Sequence, residues 1–327
     1  MVDVPTLRRR VPVFTSDSKS IIAVDPNGQL AQWDIATLRQ TRRWRIPDRN
    51  GVRVDALAPD GTQAAILDAN GCVSLLDLTT GAERTNVLGI APPVLTCYFG
   101  ASGRYLVTHT SDWSREVNES RFWDLFSMQM TGMIKVQSAG LTFHNTLRSL
   151  SWGLHREDAW VIGQNGNVKI RSMLEPQAPT LTLVQGTRDA YVLAFDVSPD
   201  GRLGAAAYAK GYLRVWDMET TELLQTMRVF LRAPHSVAFS PDGRRLAAGS
   251  HDREAIKLWE TATWQEVLIL EGQGTRFNMV AFSPDGQTLM AGNSQEQLHI
   301  WSAPSLEDID KADATTASNS VKLTRTH

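Results

Sequence analysis

Short apolar runs alternate with polar breaks along most of this chain, and residues 237–270 show the pattern most plainly. Val237-Ala238-Phe239 is an apolar triplet, followed by Ser240-Pro241-Asp242-Gly243. Proline presets φ and glycine relieves a positive φ, so this tetrapeptide predicts a tight turn. Leu246-Ala247-Ala248-Gly249-Ser250 then predicts a second strand of small side chains, as needed where strands converge and backbones approach closely. Ile256-Lys257-Leu258-Trp259 alternates with period two, the mark of a strand with two different faces, and residues 267–270 form a fourth apolar run. The predicted unit is four short antiparallel strands in succession.

That unit recurs. Ser198-Pro199-Asp200-Gly201 and Ser283-Pro284-Asp285-Gly286 repeat the turn, and Ala58-Pro59-Asp60-Gly61 differs from them by one residue. Small second strands return as Ala205-Ala206-Ala207 and Met290-Ala291-Gly292. Third strands end at Trp33, Leu76, Trp123, Arg171, Trp216, Trp259 and Trp301, at intervals of 43, 47, 48, 45, 43 and 42 residues. Four-stranded propeller blades repeat at roughly 40–45 residues. The predicted fold is therefore all-β, a seven-bladed β-propeller of four-stranded antiparallel blades forming one domain over residues 4–310. Asn27-Gly28, Asn70-Gly71 and Asn165-Gly166, between second and third strands, predict type I′ hairpins with positive φ at both central residues.

With these turns and the pairs Trp33-Asp34, Trp123-Asp124 and Trp216-Asp217, the chain resembles the WD40-repeat family. In repeat four, Arg171-Ser172 stands in the Trp-Asp place. The resemblance implies a propeller whose narrower-face loops receive peptides. It also implies a relay from the blade tryptophan to the histidine of a Gly-His pair. Thr187-Arg188 and Gly272-Gln273 occupy the places of that pair here, so blade rigidity is expected to rest more on packing. The ending Trp301-Ser302-Ala303-Pro304-Ser305, with Ile309, is similar to the last repeats of bacterial WD40 proteins, some of them fused behind Ser/Thr kinase domains.

Composition narrows the picture without changing it. Of 327 residues, 42% are hydrophobic and 21% charged, enough for a sizeable core and against wholesale disorder. Lys plus Arg total 33 against 35 Asp plus Glu, so no global field draws the chain to nucleic acid or an anionic membrane. Cys72 and Cys97 make neither a disulfide framework nor a Cys-x-x-Cys zinc site. No apolar run approaches the roughly 18 residues of a membrane span, and residues 1–10 lack the apolar stretch of a signal peptide. A cytoplasmic location is expected. Small polar residues after Ile309 predict a disordered tail over residues 311–327.

Function in such a scaffold belongs to the loops. The repeat-three hairpin is lengthened by residues 111–120, and Trp113 in it either anchors a partner or folds back as a lid. Trp113, Arg115, Arg188, Tyr191, Arg232, His251 and Arg253 occupy equivalent loop positions and form the expected partner-binding face. Arg8-Arg9-Arg10 and Arg42-Arg43-Trp44-Arg45 are basic clusters, read as protection of exposed strand edges rather than as a nucleic-acid site. No catalytic motif, metal-ligand spacing or cofactor loop is present, and the seven histidines stand apart along the chain. A non-enzymatic scaffold binding a protein or peptide is expected. The alternatives are a regulatory module of a Ser/Thr kinase system and a propeller hydrolase. The last blade is expected to have a short or missing outer strand, with residues 2–4 pairing there in part.

Overall fold

The computed structural model describes residues 12–25, 27–46, 51–85, 87–88, 94–100, 102–112, 117–137, 160–164, 167–171, 181–183, 192–251, 256–272, 276–295 and 297–303. Within them the regular structure is entirely strand, in seven antiparallel meanders. Sheet one holds β1 (Val13–Phe14), β2 (Ser20–Val24), β3 (Leu30–Asp34) and β4 (Gln40–Trp44). Sheet two holds β5 (Arg53–Leu57), β6 (Gln63–Leu67), β7 (Val73–Asp77) and β8 (Glu83–Arg84). Sheet three holds β9 (Thr96–Phe99), β10 (Tyr105–Asp112), β11 (Val117–Asp124) and β12 (Gln129–Gln137). Sheet four has three described strands, β13 (Trp160–Gln164), β14 (Asn167–Arg171) and β15 (Leu181–Leu183). Sheet five holds β16 (Val192–Val197), β17 (Leu203–Tyr208), β18 (Tyr212–Asp217) and β19 (Leu223–Arg228). Sheet six holds β20 (Ser236–Phe239), β21 (Arg245–Gly249), β22 (Ile256–Glu260) and β23 (Glu266–Leu270). Sheet seven holds β24 (Phe277–Phe282), β25 (Thr288–Asn293) and β26 (Leu298–Ser302). Residues 2–4, invoked for its outer strand, and the tail 311–327 lie outside the described residues.

Local chemistry sets each turn. Gly201 N–H donates to Ser198 O at 2.8 Å, and Gly201 sits at φ 74, which glycine adopts without steric cost. The Ser198 hydroxyl donates to Asp200 at 2.7 Å and accepts the Leu203 N–H at 2.8 Å. Ser240 and Ser283 repeat both bonds. Thr15 does the same in sheet one, with Ser18 at φ 60 in the glycine's place. The aspartate that follows the third-strand tryptophan has its own task. Asp217 accepts the Glu219 and Thr220 N–H groups, and Asp34 and Asp77 cap their turns alike. The Thr220 backbone N–H holds the Asp217 carboxyl below the usual carboxylate range. Four positions after each such acid the chain enters the left-handed region, at Leu38, Gly81, Met128, Thr221 and Trp264. Only one of the five is glycine.

The Asn-Gly loops depart from the type I′ expectation. φ is positive at Gly28 and Gly71 but not at Asn27 or Asn70. Asp25 and Asp68 explain the difference, because each carboxylate accepts two backbone N–H groups further along its loop: Asn27 and Gln29 for one, Asn70 and Cys72 for the other. An aspartate-organised loop thus replaces the two-residue turn. Asn165-Gly166 lies outside the described residues.

The third-strand residues share one register. Trp33 lies opposite Ile21, Leu76 opposite Ala64, Trp123 opposite Leu106, Trp216 opposite Gly204, Trp259 opposite Leu246 and Trp301 opposite Leu289. Arg171 ends β14 opposite Trp160. A β-bulge against the outer strand falls directly before Trp33, Trp123, Trp216 and Trp259, where it sharpens the local twist. Opposite Trp216, Gly204 makes room for Met218 and Phe195: a Cβ there would lie 2.5 Å from Met218 Sδ and 2.9 Å from Phe195 Cζ. The relay to a histidine is absent at the described tryptophans whose partners are visible. Trp123 Nε1 donates to Thr108 Oγ1 at 2.9 Å, and Trp216 Nε1 is buried with no partner among the described residues. Packing carries these side chains.

Each apolar cluster joins two neighbouring sheets. Leu76 packs among residues of sheets one and two, and Trp123 among those of sheets two and three. Trp216 joins sheets four and five, Trp259 joins five and six, and Trp301 lies against the cluster joining six and seven. Trp33, Phe14 and Ile21 of sheet one pack with Met290, Leu298 and Ile300 of sheet seven. Polar groups also bridge neighbouring first strands. Asp55 accepts the Cys97 N–H at 2.7 Å, Ser236 Oγ donates to Phe277 O at 3.1 Å, and Asp196 accepts the Phe239 N–H at 2.7 Å. Asp196 Oδ1 is buried with no hydrogen-bond partner among the described residues, and burial pushes the carboxyl up to about 8.

Three outcomes test this architecture. Trp259, 2% exposed and edge-on to Phe230 at 6.2 Å, should cost about 3–5 kcal/mol when replaced by Ala in denaturant melts. A loss below about 1 kcal/mol would show that its pocket collapses freely. Between about pH 4 and about pH 8 the folded chain keeps an Asp196 proton that the unfolded chain has released, so this group makes stability fall as pH rises. Asp196→Asn should remove that component, and parallel pH profiles for the two proteins would contradict it. Amide exchange over β26, paired on one side only among the described residues, should outpace that over β22, paired on both sides. Equal protection would reveal a further strand on β26.

Candidate functional site

Antiparallel alternation sends the loops to two opposite ends of each sheet. At one end lie the first-to-second and third-to-fourth strand turns, including the three Ser-Pro-Asp-Gly turns. The Ser198 hydroxyl, with the Arg202 backbone N–H, holds Asp200 below the usual carboxylate range, so this acid is committed to its turn. An open groove of about 500 Å³ runs there between sheets six and seven, lined by Pro241, Asp242, Arg245, Pro284 and Asp285 among others. Phe126 projects from the same end, 90% exposed, where the other described repeats place Ala36, Thr79, Glu219 and Ala262.

At the opposite end lie the second-to-third strand loops and the connections between sheets. Among the seven residues expected to form a partner-binding face, Arg232 and His251 are described, and both lie at this end. Arg232 is exposed and His251 half-buried. Trp113, Arg115, Arg188, Tyr191 and Arg253 lie outside the described residues. Leu231, beside Arg232, is 81% exposed.

The structure also brings together a pair that spacing along the chain did not suggest. His235 precedes β20 and His251 follows β21, and their Nε2 atoms stand 2.9 Å apart with ring centroids at 4.9 Å and planes at 71°. Sixteen residues separate them in sequence. The signal was the hairpin register: the Ser240 to Gly243 turn pairs Ser236 with Gly249, which sets the two flanking histidines side by side. The other described histidines are core residues. His109 meets Ser120 Oγ at 3.1 Å, and burial pushes its imidazole down to about 4. His299 is fully buried and stacks on Trp301 at 5.7 Å.

The arginine cluster of β4 is absorbed by structure. Arg43 pairs with Asp25 at 2.8 Å, Arg42 donates to Thr79 O and covers Trp44, and Trp44 is buried with its N–H donated to Leu78 O. A base cannot stack on an indole used in this way. Residues 8–10 lie outside the described residues. Among the described residues no group of three or more His, Cys, Asp or Glu is placed to hold a metal ion, and no helix is long and apolar enough to cross a membrane.

Comparison with known proteins bears on the last two sheets above all. Residues 226–259 and 264–302 match the WD40 family, described as WD domain, G-beta repeat. Protein hir1 of Aspergillus terreus is 34% identical over 88 residues, covering 24% of this chain and 9% of that protein. Protein HIR1 of Gibberella zeae is 38% identical over 77 residues, covering 20% of this chain and 7% of that one. The WD repeat-containing protein SL1-17 of Schistosoma mansoni is 37% identical over 60 residues, covering 18% of this chain and 20% of that protein. The chain thus matches less than a tenth of the length of either HIR1 relative. None of these three is bacterial, and none is named as a kinase. Residues 226–259 and 264–302 are thus similar to WD40 repeats, a module that typically mediates protein–protein interaction.

Proposed function

We propose that the seven sheets are blades of one ring spanning residues 4–310, and that the ring is a non-enzymatic scaffold for a protein or peptide partner. The observation that carries this reading is the sequence of apolar clusters, each shared between neighbouring sheets and one of them shared between sheets one and seven. The Asp285 N–H also donates to Ser18 Oγ at 3.1 Å, across 267 residues of chain. A scaffold of that kind holds its loops rigidly, and rigid loops bind without a large ordering cost. The partner face in this reading is the end that carries Leu231, Arg232 and His251, with Trp113, Arg115, Arg188, Tyr191 and Arg253 joining it from equivalent loops. Arginine and aromatic side chains suit the centre of such a face. A reducing, cytoplasmic setting accords with two free thiols, Cys72 and Cys97. No observation favours the kinase-linked or hydrolase readings.

Affinity capture from the native cell tests the proposal with two variants, Trp113→Ala/Arg115→Ala and Leu231→Ser/Arg232→Ala. A protein captured by the wild type should be lost from both at unchanged thermal stability. Capture undiminished in both variants would move the partner site elsewhere.

A further inference from the structure

We propose that β23, the outer strand of sheet six, takes up an extended peptide as an added strand, and that this peptide is aliphatic with a basic residue at one end. Among the described residues β23 pairs with β22 alone, so its second edge presents backbone N–H and C=O groups that no strand of the sheet uses. Its sequence does not guard that edge. Val267, Leu268 and Ile269 are 46%, 47% and 47% exposed, and no charge interrupts them. The other long outer strands carry charge: Arg42 and Arg43 on β4, Lys135 on β12 and Arg228 on β19. The exposed side chains of β23 stand on both of its faces. Ile269 lies opposite Lys257 and Leu268 opposite Leu258, and residues directly opposite one another share a face. Lys257 Nζ lies 5.4 Å over the Phe230 ring in the cluster joining sheets five and six, whereas Leu258 belongs to the cluster joining six and seven. Side chains that alternate along an added strand would therefore meet an aliphatic neighbour on either face.

Area and charge choose the occupant. Three half-exposed aliphatic side chains offer a few hundred Å² at most, whereas a stable interface buries about 800 Å² on each partner. Strand addition needs less, because main-chain hydrogen bonds supply the affinity and side chains the specificity. Charge decides further against a second copy of this chain. The apolar run is bracketed by exposed Glu266 and Glu271. Buried Lys257 meets Glu266 at 3.3 Å, and Glu271 has no ion-pair partner among the described residues. Antiparallel pairing of two β23 strands about Leu268 would set Glu266 of one copy beside Glu271 of the other at both ends. A Lys or Arg on a peptide would instead answer Glu271. The surface is a strand edge and not the loop end that carries Leu231 and Arg232, so this proposal and the partner-face proposal fail separately.

The test selects a displayed library of random short peptides on the full-length chain and measures the enriched peptides by fluorescence anisotropy. They should be rich in Val, Ile and Leu, with Lys or Arg near one end. Leu268→Thr/Ile269→Thr keeps strand propensity and charge, and it should weaken them by about tenfold or more, the worth of one fully buried aliphatic side chain. Glu271→Gln should weaken them a few-fold, and Leu231→Ser/Arg232→Ala should leave them unchanged. With the wild-type chain, N-methylation of one alternate set of peptide amides should abolish binding while methylation of the other set is tolerated. That arm reads main-chain pairing directly and stands even if a variant folds poorly. Enriched peptides that bind the folded threonine variant as well as the wild type, or that tolerate methylation of both sets, would overturn the proposal. So would a concentration-dependent dimer that the threonine variant abolishes, which would assign the edge to a second copy.

Discussion

The structure depends on the packing of one large side chain from the third strand of each sheet but the fourth, among the described residues, against the sheet before it. A four-stranded sheet of about five residues per strand cannot bury both its faces alone, and here neighbouring sheets supply the cover. Leu76, Trp123, Trp216 and Trp259 each sit in a cluster that draws the rest of its residues from two adjacent sheets. Trp33 does the same between sheets seven and one. Stability in such an array is a sum of unit and neighbour terms, so a weak unit is carried by those on either side. Sheet four, with Arg171 at the repeat position, is joined to sheet five through Val168, Ile170 and Leu183.

Polar chemistry divides between holding strands together and shaping ends. Inner-strand bridges such as Asp55 to Cys97 and Asp196 to Phe239 join sheets where apolar packing runs out. They are not equivalent. Asp55 accepts hydrogen bonds from Cys97, Thr96 and Arg53, whereas burial at Asp196 outweighs its backbone donors and raises its carboxyl. The turn acids are different again: each accepts hydroxyl and backbone N–H donors of its own turn and is held below the usual carboxylate range. Repetition of an acidic residue along this chain is therefore a record of turn geometry, and the acid with unusual protonation occurs only once among those described.

The two ends consequently differ in kind. One is built from turns whose side chains are spent on their own backbones. The other carries exposed Leu231 and Arg232 and a pair of imidazoles whose ring nitrogens face each other.

The sequence by itself determined the strands, their turns and the register position of the tryptophans, because each follows from interactions within about ten residues: proline and glycine torsions, serine and aspartate hydrogen bonds, and period-two alternation. It misjudged the Asn-Gly loops, where Asp25 and Asp68, two residues upstream, compete successfully for the backbone donors. It did not contain the left-handed positions at Leu38, Met128, Thr221 and Trp264, which the closure of each outer hairpin imposes on residues with no preference for them. Only tertiary structure decided which residues meet across sheets. Asp196 is an ordinary strand acid until sheet six covers it, and His235 and His251 are separate histidines until β20 and β21 pair. Burial and juxtaposition are properties of the assembled sheets, and no local pattern encodes them.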